Sequence, residues 1–277
     1  MTAKPRRTPR RRGGWMLVVL VMLAASCVGS GRDQDAASRA RATPTSTLGP
    51  PATTAAAITK PCLQGAASAE VVRFRTSAGA ILVGVVLGRG RTGLVLGHQR
   101  GSDLCEWLPQ AQAFASRGYR VLAFDFAGFG DSQAGSGPDA RVDTDVAAAA
   151  EQLRRRGATR IVLIGSSMGG TAVLSAATRI RPPVAGVVSL SGPTVFQDVD
   201  AGAAISRLRV PVLLVVGADD ELFVDDARAM YRAAPVGDKR LLVVPGGGHG
   251  TSLLEFGQDA PRVLAAVRRF IAQHTHR

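Results

Sequence analysis

The sequence predicts an α/β fold: a doubly wound, mostly parallel eight-stranded sheet flanked by helices. Three observations predict it. From about Glu70 onward, apolar runs alternate with segments of helical character. The later runs are nearly continuous Val, Leu and Ile, as expected when helices cover both sheet faces. Three residues able to do chemistry each fall just beyond such a run, at the edge where sheets of this kind bind ligands.

In chain order, the spacing predicts an antiparallel hairpin over 71–75 and 81–87, joined by the turn-like Ser77-Ala78-Gly79. Strands follow over 93–97, 120–126, 160–165, 185–190, 210–217 and 240–244. Helical patterns occupy 104–117, 139–156, 168–179, 225–233 and 253–272. Only about twenty residues separate the strands ending at Leu190 and starting at Val210. That is room for one short helix over 200–207 and not for a large lid domain.

The residues before this domain have a different character. Six basic residues (Lys4, Arg6, Arg7, Arg10, Arg11, Arg12) precede an apolar run from Trp15 to Ala25, too short for a comfortable bilayer span. The pattern has the form of a secretory signal. It ends at Leu23-Ala24-Ala25-Ser26-Cys27, which resembles a bacterial lipobox. The expectation is a signal peptide over 1–26, with diacylation of Cys27 giving lasting membrane anchorage from the extracytoplasmic side. An ordinary cleaved signal and an uncleaved anchor are the alternatives. Residues 27–66, rich in Ala, Thr, Ser, Pro and Gly, cannot bury enough apolar surface to offset their ordering entropy and read as a disordered tether. The folded domain is expected over 67–277, and 46% hydrophobic residues in the whole chain is ample for a core.

Net charge is +13, but removing the six N-terminal cations leaves 28 Lys and Arg against 21 Asp and Glu. With no basic stripe interleaved with aromatic residues, nucleic acid is not an expected partner. The glycines Gly246-Gly247-Gly248 follow a strand but lack the lysine and spacing of a nucleotide loop, and no metal-ligand cluster is legible. No cofactor is expected. With Cys27 assigned to the lipobox, Cys62 and Cys105 form an even pair in an exported context, predicting a disulfide that staples the incoming segment to the region after the third strand. Two unrelated buried thiols are the alternative. Cys105 is a poor nucleophile candidate, having no histidine beside it in sequence.

The chemistry concentrates in Gly165-Ser166-Ser167-Met168-Gly169, between the apolar Arg160–Ile164 run and an alanine-rich helical segment. A serine there can be held on a tight turn with its hydroxyl exposed. Further along, Val212-Leu213-Leu214-Val215-Val216-Gly217 runs into Ala218-Asp219-Asp220. The next strand, 241–244, leads into Pro245-Gly246-Gly247-Gly248-His249-Gly250. Serine is a feeble nucleophile at neutral pH. It needs an imidazole to take its proton, and the imidazole needs a carboxylate to fix its tautomer. Ser167, Asp220 and His249 are the candidates, and Asp219 is the neighbouring carboxylate. The plain alternatives are a small residue in a turn, a helix N-cap at Asp220 and a surface histidine.

With that order of nucleophile, acid and histidine, the chain resembles the α/β-hydrolase family over about Val71 to His274, and Gly217-x-x-Asp220 matches the family's acid position better than Asp219, the weaker choice. Asp125-Phe126-Ala127-Gly128-Phe129-Gly130-Asp131-Ser132 is similar to the family's turn after the fourth strand, which is mainly structural, so Asp125 receives no catalytic role. The resemblance implies an oxyanion hole of backbone amides, one from Met168 and one from the loop Gly97-His98-Gln99-Arg100-Gly101. The family often has His-Gly-x where this chain has His98-Gln99-Arg100. Arg100 is favoured as donor, with Gln99 open. His98 holds a packing position in relatives, while His274 and His276 read as solvated residues of the tail. The implied activity is acyl transfer to water from a small ester substrate, that of a serine hydrolase and carboxylesterase in an open pocket lined by Phe196, Leu222 and Phe223. A peptidase or thioesterase of the same fold, and a non-catalytic envelope-associated binding lipoprotein, are the alternatives.

Overall fold

The structure is a computed structural model and describes residues 60–64 and 68–275. Cys27 lies outside the described residues, with the signal and anchor expectations attached to it and residues 27–59 of the expected tether; so does His276. A 3-10 turn, Pro61–Leu63, precedes strands β1 (Glu70–Arg75), β2 (Ile81–Leu87) and β3 (Thr92–Gly97). A second 3-10 turn, Leu104–Trp107, runs into α1 (Leu108–Ala115), followed by β4 (Arg120–Phe124) and α2 (Val142–Arg155). Then come β5 (Arg160–Ser166), α3 (Met168–Ala177), β6 (Gly186–Leu190), a small hairpin of β7 (Val195–Phe196) and β8 (Val199–Asp200), and α4 (Ala201–Ile205). The chain continues through β9 (Val212–Gly217), α5 (Glu221–Ala233), β10 (Lys239–Val244), α6 (Ser252–Glu255) and α7 (Ala260–Thr275).

Eight strands form one sheet in the order β1-β2-β4-β3-β5-β6-β9-β10. β2 pairs antiparallel with both β1 and β4, and every other pairing in this sheet is parallel. This is the α/β-hydrolase architecture, as predicted. Period-two alternation divides the core. Val95, Ile161 and Leu163 face the layer containing α2 and α3, while Leu94, Leu96, Val162 and Ile164 face the layer containing α1 and α7. All seven are buried, which is why β3 and β5 read as continuous apolar runs.

The differences from expectation have local causes. β4 stops at Phe124. The Asp125 amide still donates to the Val83 carbonyl of β2 (2.8 Å), but the Phe126 amide leaves the ladder for His98 Nε2 (3.1 Å), while Asp125 Oδ1 accepts from the Leu104 amide (2.7 Å) and Oδ2 from the Asp131 amide (2.8 Å). The single helix expected over 253–272 is two helices, α6 and α7, with Gly257 between them at φ +84°, a conformation outside the helical region. The first turn of the helix expected over 104–117 is 3-10, with Pro109 at the start of α1. The link from β6 to β9 holds the β7–β8 hairpin as well as α4, still with no lid.

The folded part also begins earlier than Ala67. The Lys60 ammonium reaches Asp103 (2.8 Å), Asp125 (3.2 Å) and Asp131 (3.4 Å), and Cys62 is joined to Cys105 by a disulfide with a Cα–Cα distance of 5.8 Å. His274 is not a solvated tail residue. Its Nδ1 lies 2.7 Å from the Phe270 carbonyl and its Nε2 2.8 Å from Asp238 Oδ2, tying the end of α7 to the turn before β10. Among the described residues, no helix is long and apolar enough to cross a membrane.

Candidate active site

Ser167 follows the last residue of β5 and precedes the first residue of α3, with φ 50° and ψ −114°. A non-glycine residue there carries strain of about 1–3 kcal/mol, which the surroundings must over-determine. They do so through close packing. The Ser167 amide donates to the Leu190 carbonyl on β6 (2.8 Å). A Cβ on Gly165 would lie 2.1 Å from the Gly169 carbonyl oxygen, and one on Gly169 would lie 2.2 Å from that of Gly97. Strand, turn and helix therefore approach more closely than side chains permit, which accounts for glycine on both flanks of the motif. As the first residue of α3, Met168 has an amide with no acceptor inside the helix.

The candidate acid and base meet at the ends of β9 and β10. His249 Nδ1 lies 2.9 Å from Asp220 Oδ2, with the Asp220 side chain 10% exposed and that of His249 33% exposed. Asp220 stands at the N-cap of α5 yet its side chain makes no capping hydrogen bond; the carboxylate is committed to the histidine. Asp219 is exposed. With Nδ1 donating to the carboxylate, Nε2 of the neutral ring is the basic nitrogen. The next residue, Gly250, has φ +59°, and a Cβ on it would lie 2.3 Å from Ser166 Oγ. The histidine loop thus packs against the residue preceding Ser167. No hydrogen bond joins the Ser167 hydroxyl to the His249 ring among the described residues. Phe223 presents its ring edge-on to His249 (centroids 4.4 Å), and Leu222 is 80% exposed beside it in sequence. Phe196 instead packs against the core layer that contains α2 and α3.

In the loop after β3, His98 is fully buried. Its Nδ1 donates to the Gln99 carbonyl (2.7 Å) and its Nε2 accepts from the Phe126 amide (3.1 Å). Both ring nitrogens are engaged in one neutral tautomer, and burial lowers its pKa. His98 is a structural pin. The Gln99 amide donates to Glu106 Oε2 (2.9 Å), so it is not free for a ligand. The Arg100 amide has no such partner among the described residues. Glu106, which sequence reasoning passed over as one more helical residue, touches this loop. Burial raises its pKa, opposed by the Gln99 amide and by the hydroxyls of Ser166, Ser102 and Thr251. The only sequence signal was a carboxylate between Cys105 and Trp107, next to two residues that fix the 3-10 turn.

The family model for the alpha/beta hydrolase fold matches residues 92–204, a stretch that contains Ser167 but ends before Asp220 and His249. An uncharacterized Mycobacterium tuberculosis protein is 29% identical over 184 residues, 59% of this chain and 63% of that protein, so the match spans less than two thirds of that relative. A 2-hydroxy-6-oxononadienedioate/2-hydroxy-6-oxononatrienedioate hydrolase of Burkholderia vietnamiensis is 33% identical over 110 residues, 39% of this chain and 38% of that one. Among solved structures, a Pyrococcus furiosus esterase superposes with a TM-score of 0.65 at 18% identity, covering 82% of this chain and 99% of the other. At that identity, the likeness extends to the fold.

Proposed function

We propose that this α/β-hydrolase-fold chain is a serine hydrolase of ester-type acyl substrates. The observation that carries the proposal is the Asp220–His249 hydrogen bond, held beside the strained turn of Ser167. In this reading Ser167 Oγ attacks the acyl carbon while its proton passes to His249 Nε2. Asp220 holds the ring and stabilises its cationic form. The tetrahedral oxyanion is met by the Met168 and Arg100 amides, dipoles that need no reorganisation as charge develops. Collapse breaks the bond to the leaving alkoxide, which takes the proton from His249. Water then adds to the acyl-enzyme by the same route, its proton going to His249 and then to Ser167, and the carboxylic acid departs.

A β6–β9 connection of a two-stranded hairpin and one five-residue helix favours a site open to small or exposed ester substrates. Phe223 and Leu222 offer apolar contact to the acyl or alcohol group next to the histidine. On the sequence pattern around Cys27, the enzyme would be lipid-anchored on the extracytoplasmic face of the cell membrane, with no nucleic acid partner. The test is labelling of the folded chain with a fluorophosphonate probe, together with hydrolysis of short p-nitrophenyl esters. Labelling and hydrolysis lost in Ser167→Ala support the proposal. A folded wild-type chain that neither labels nor hydrolyses overturns it in favour of a binding role, and a screen of ester, thioester and amide analogues distinguishes reaction types.

A further inference from the structure

Glu106 is a titratable group next to the site that the proposed mechanism does not use. It sits in the 3-10 turn between Cys105, which is held by the disulfide, and Trp107, which is fully buried. Its backbone is therefore fixed from both sides. The turn is further capped by Asp103, whose Oδ1 accepts from the Cys105 amide (2.8 Å). From this platform, Glu106 Oε2 accepts from the Gln99 amide (2.9 Å), while Oε1 is buried without a hydrogen-bond partner. A carboxyl in such surroundings costs free energy relative to water, and one amide bond offsets only part of that.

Three site loops converge on this group. Gln99, whose amide bonds Glu106, comes from the loop after β3, Ser166 precedes Ser167, and Gly250 follows His249. The Gln99 side chain reinforces the same junction, its Oε1 lying 3.4 Å from Ser166 Oγ. Gly250 packs against both of those atoms: a Cβ there would lie 2.3 Å from Ser166 Oγ and 2.8 Å from Gln99 Oε1. The bond to Glu106 turns the Gln99 amide inward, away from any ligand, and the next amide in the chain, that of Arg100, is the one left without a partner.

We infer that Glu106 is the positioning residue of the oxyanion loop: by accepting the Gln99 amide, it fixes the 98–102 backbone so that the Arg100 amide remains available to the developing oxyanion. This rests on the serine-hydrolase reading above. Glu106 touches no reacting atom. Because it acts by reach and by accepting a hydrogen bond, glutamine can replace it and alanine cannot.

The experiment compares Glu106→Gln and Glu106→Ala in the full chain with the wild type. Glu106→Ala is expected to lower kcat on a short p-nitrophenyl ester about 100-fold, the scale of losing one oxyanion donor, with KM within about twofold. Inhibition by a trifluoromethyl ketone analogue should weaken in parallel, and Glu106→Gln should restore most of kcat. Hydrogen exchange at the Gln99 amide should accelerate in Glu106→Ala and in the shortened Glu106→Asp but not in Glu106→Gln, a readout independent of turnover. If the alanine variant fails to fold, Glu106→Asp serves, since it keeps the charge and shortens the reach. Equal loss in the Gln and Ala variants, a rise in KM with kcat unchanged, or unaltered Gln99 exchange in the shortened variant overturns the inference. A wild-type chain without Ser167-dependent turnover overturns the hydrolase reading and the oxyanion role with it, while the exchange result still reports whether Glu106 orders the loop.

Discussion

Asp220 and His249, twenty-nine residues apart in the chain, are joined by a 2.9 Å hydrogen bond across the ends of two adjacent parallel strands. The pairing Val244↔Gly217 brings the two strand ends level, so the acidic turn after β9 and the glycine turn after β10 open side by side. The carboxylate holds one ring nitrogen and leaves the other for chemistry.

Removing that orientation should slow the reaction without unfolding the protein. Asp220→Asn is expected to lower kcat on a short ester about 10³–10⁴-fold, because the amide no longer selects the tautomer or stabilises the imidazolium. Steady-state kinetics with circular dichroism of the variant checks this; a loss under tenfold would remove Asp220 from the proposed triad.

The disulfide should contribute chiefly to stability. Cys62 and Cys105 are 43 residues apart, and closing a loop of that length stabilises the fold by about 4 kcal/mol in the chain-entropy account. Cys62→Ser with Cys105→Ser should lower the urea midpoint accordingly. Thiol titration of the unreduced wild type should find neither of these two cysteines reactive.

Asp145, near the start of α2, predicts a pH dependence of stability. Burial pushes its pKa up to about 7, aided by the neighbouring Asp143 and opposed by the Ala127 amide, which donates to it (2.9 Å). The folded value lies above the unfolded one, so the native state binds more protons than the unfolded chain between about pH 4 and pH 7. Its contribution is complete below that window and is lost as pH rises through it, by up to roughly 4 kcal/mol. Asp145→Asn keeps an acceptor for Ala127 and removes the charge. It should raise the melting temperature most above pH 7 and least near pH 4, as a series of thermal melts would record.

Gly130→Ala tests the turn after β4. Gly130 has φ +51°, and a Cβ there would lie 2.2 Å from Asp125 Oδ2, the oxygen that also faces Lys60. The substitution should cost roughly 2–4 kcal/mol through backbone strain and displacement of that carboxylate. Chemical denaturation gives the value, and an unchanged midpoint would mean the turn can rearrange freely.

Patterns local in the chain carried most of the fold. Apolar-rich segments five to eight residues long, alternating with helical segments, were enough to locate all eight strands of the main sheet, because each strand's periodicity is a property of neighbouring residues. The same holds for the glycine-flanked Ser167 at a strand end. Boundaries shifted where a contact with a remote residue intervened. β4 ends where the Phe126 amide turns to His98, and the last helix divides at Gly257, whose positive φ a periodic pattern does not report.

Folding in three dimensions settled the matters that depend on who meets whom. The sequence favours Asp220 over Asp219 through a family resemblance alone; exposure and the bond to His249 give the physical difference between them. Arg100 is likewise favoured over Gln99 in the sequence without a contact to explain it; the physical difference is that Glu106 takes the Gln99 amide and leaves the other unpartnered among the described residues. His274 became a clasp because the turn before β10 brings Asp238 beneath it. Burial and hydrogen-bond satisfaction are sums over neighbours in space, whereas periodicity and turn chemistry are sums along the chain. That difference divides the features legible in the letters from those requiring coordinates.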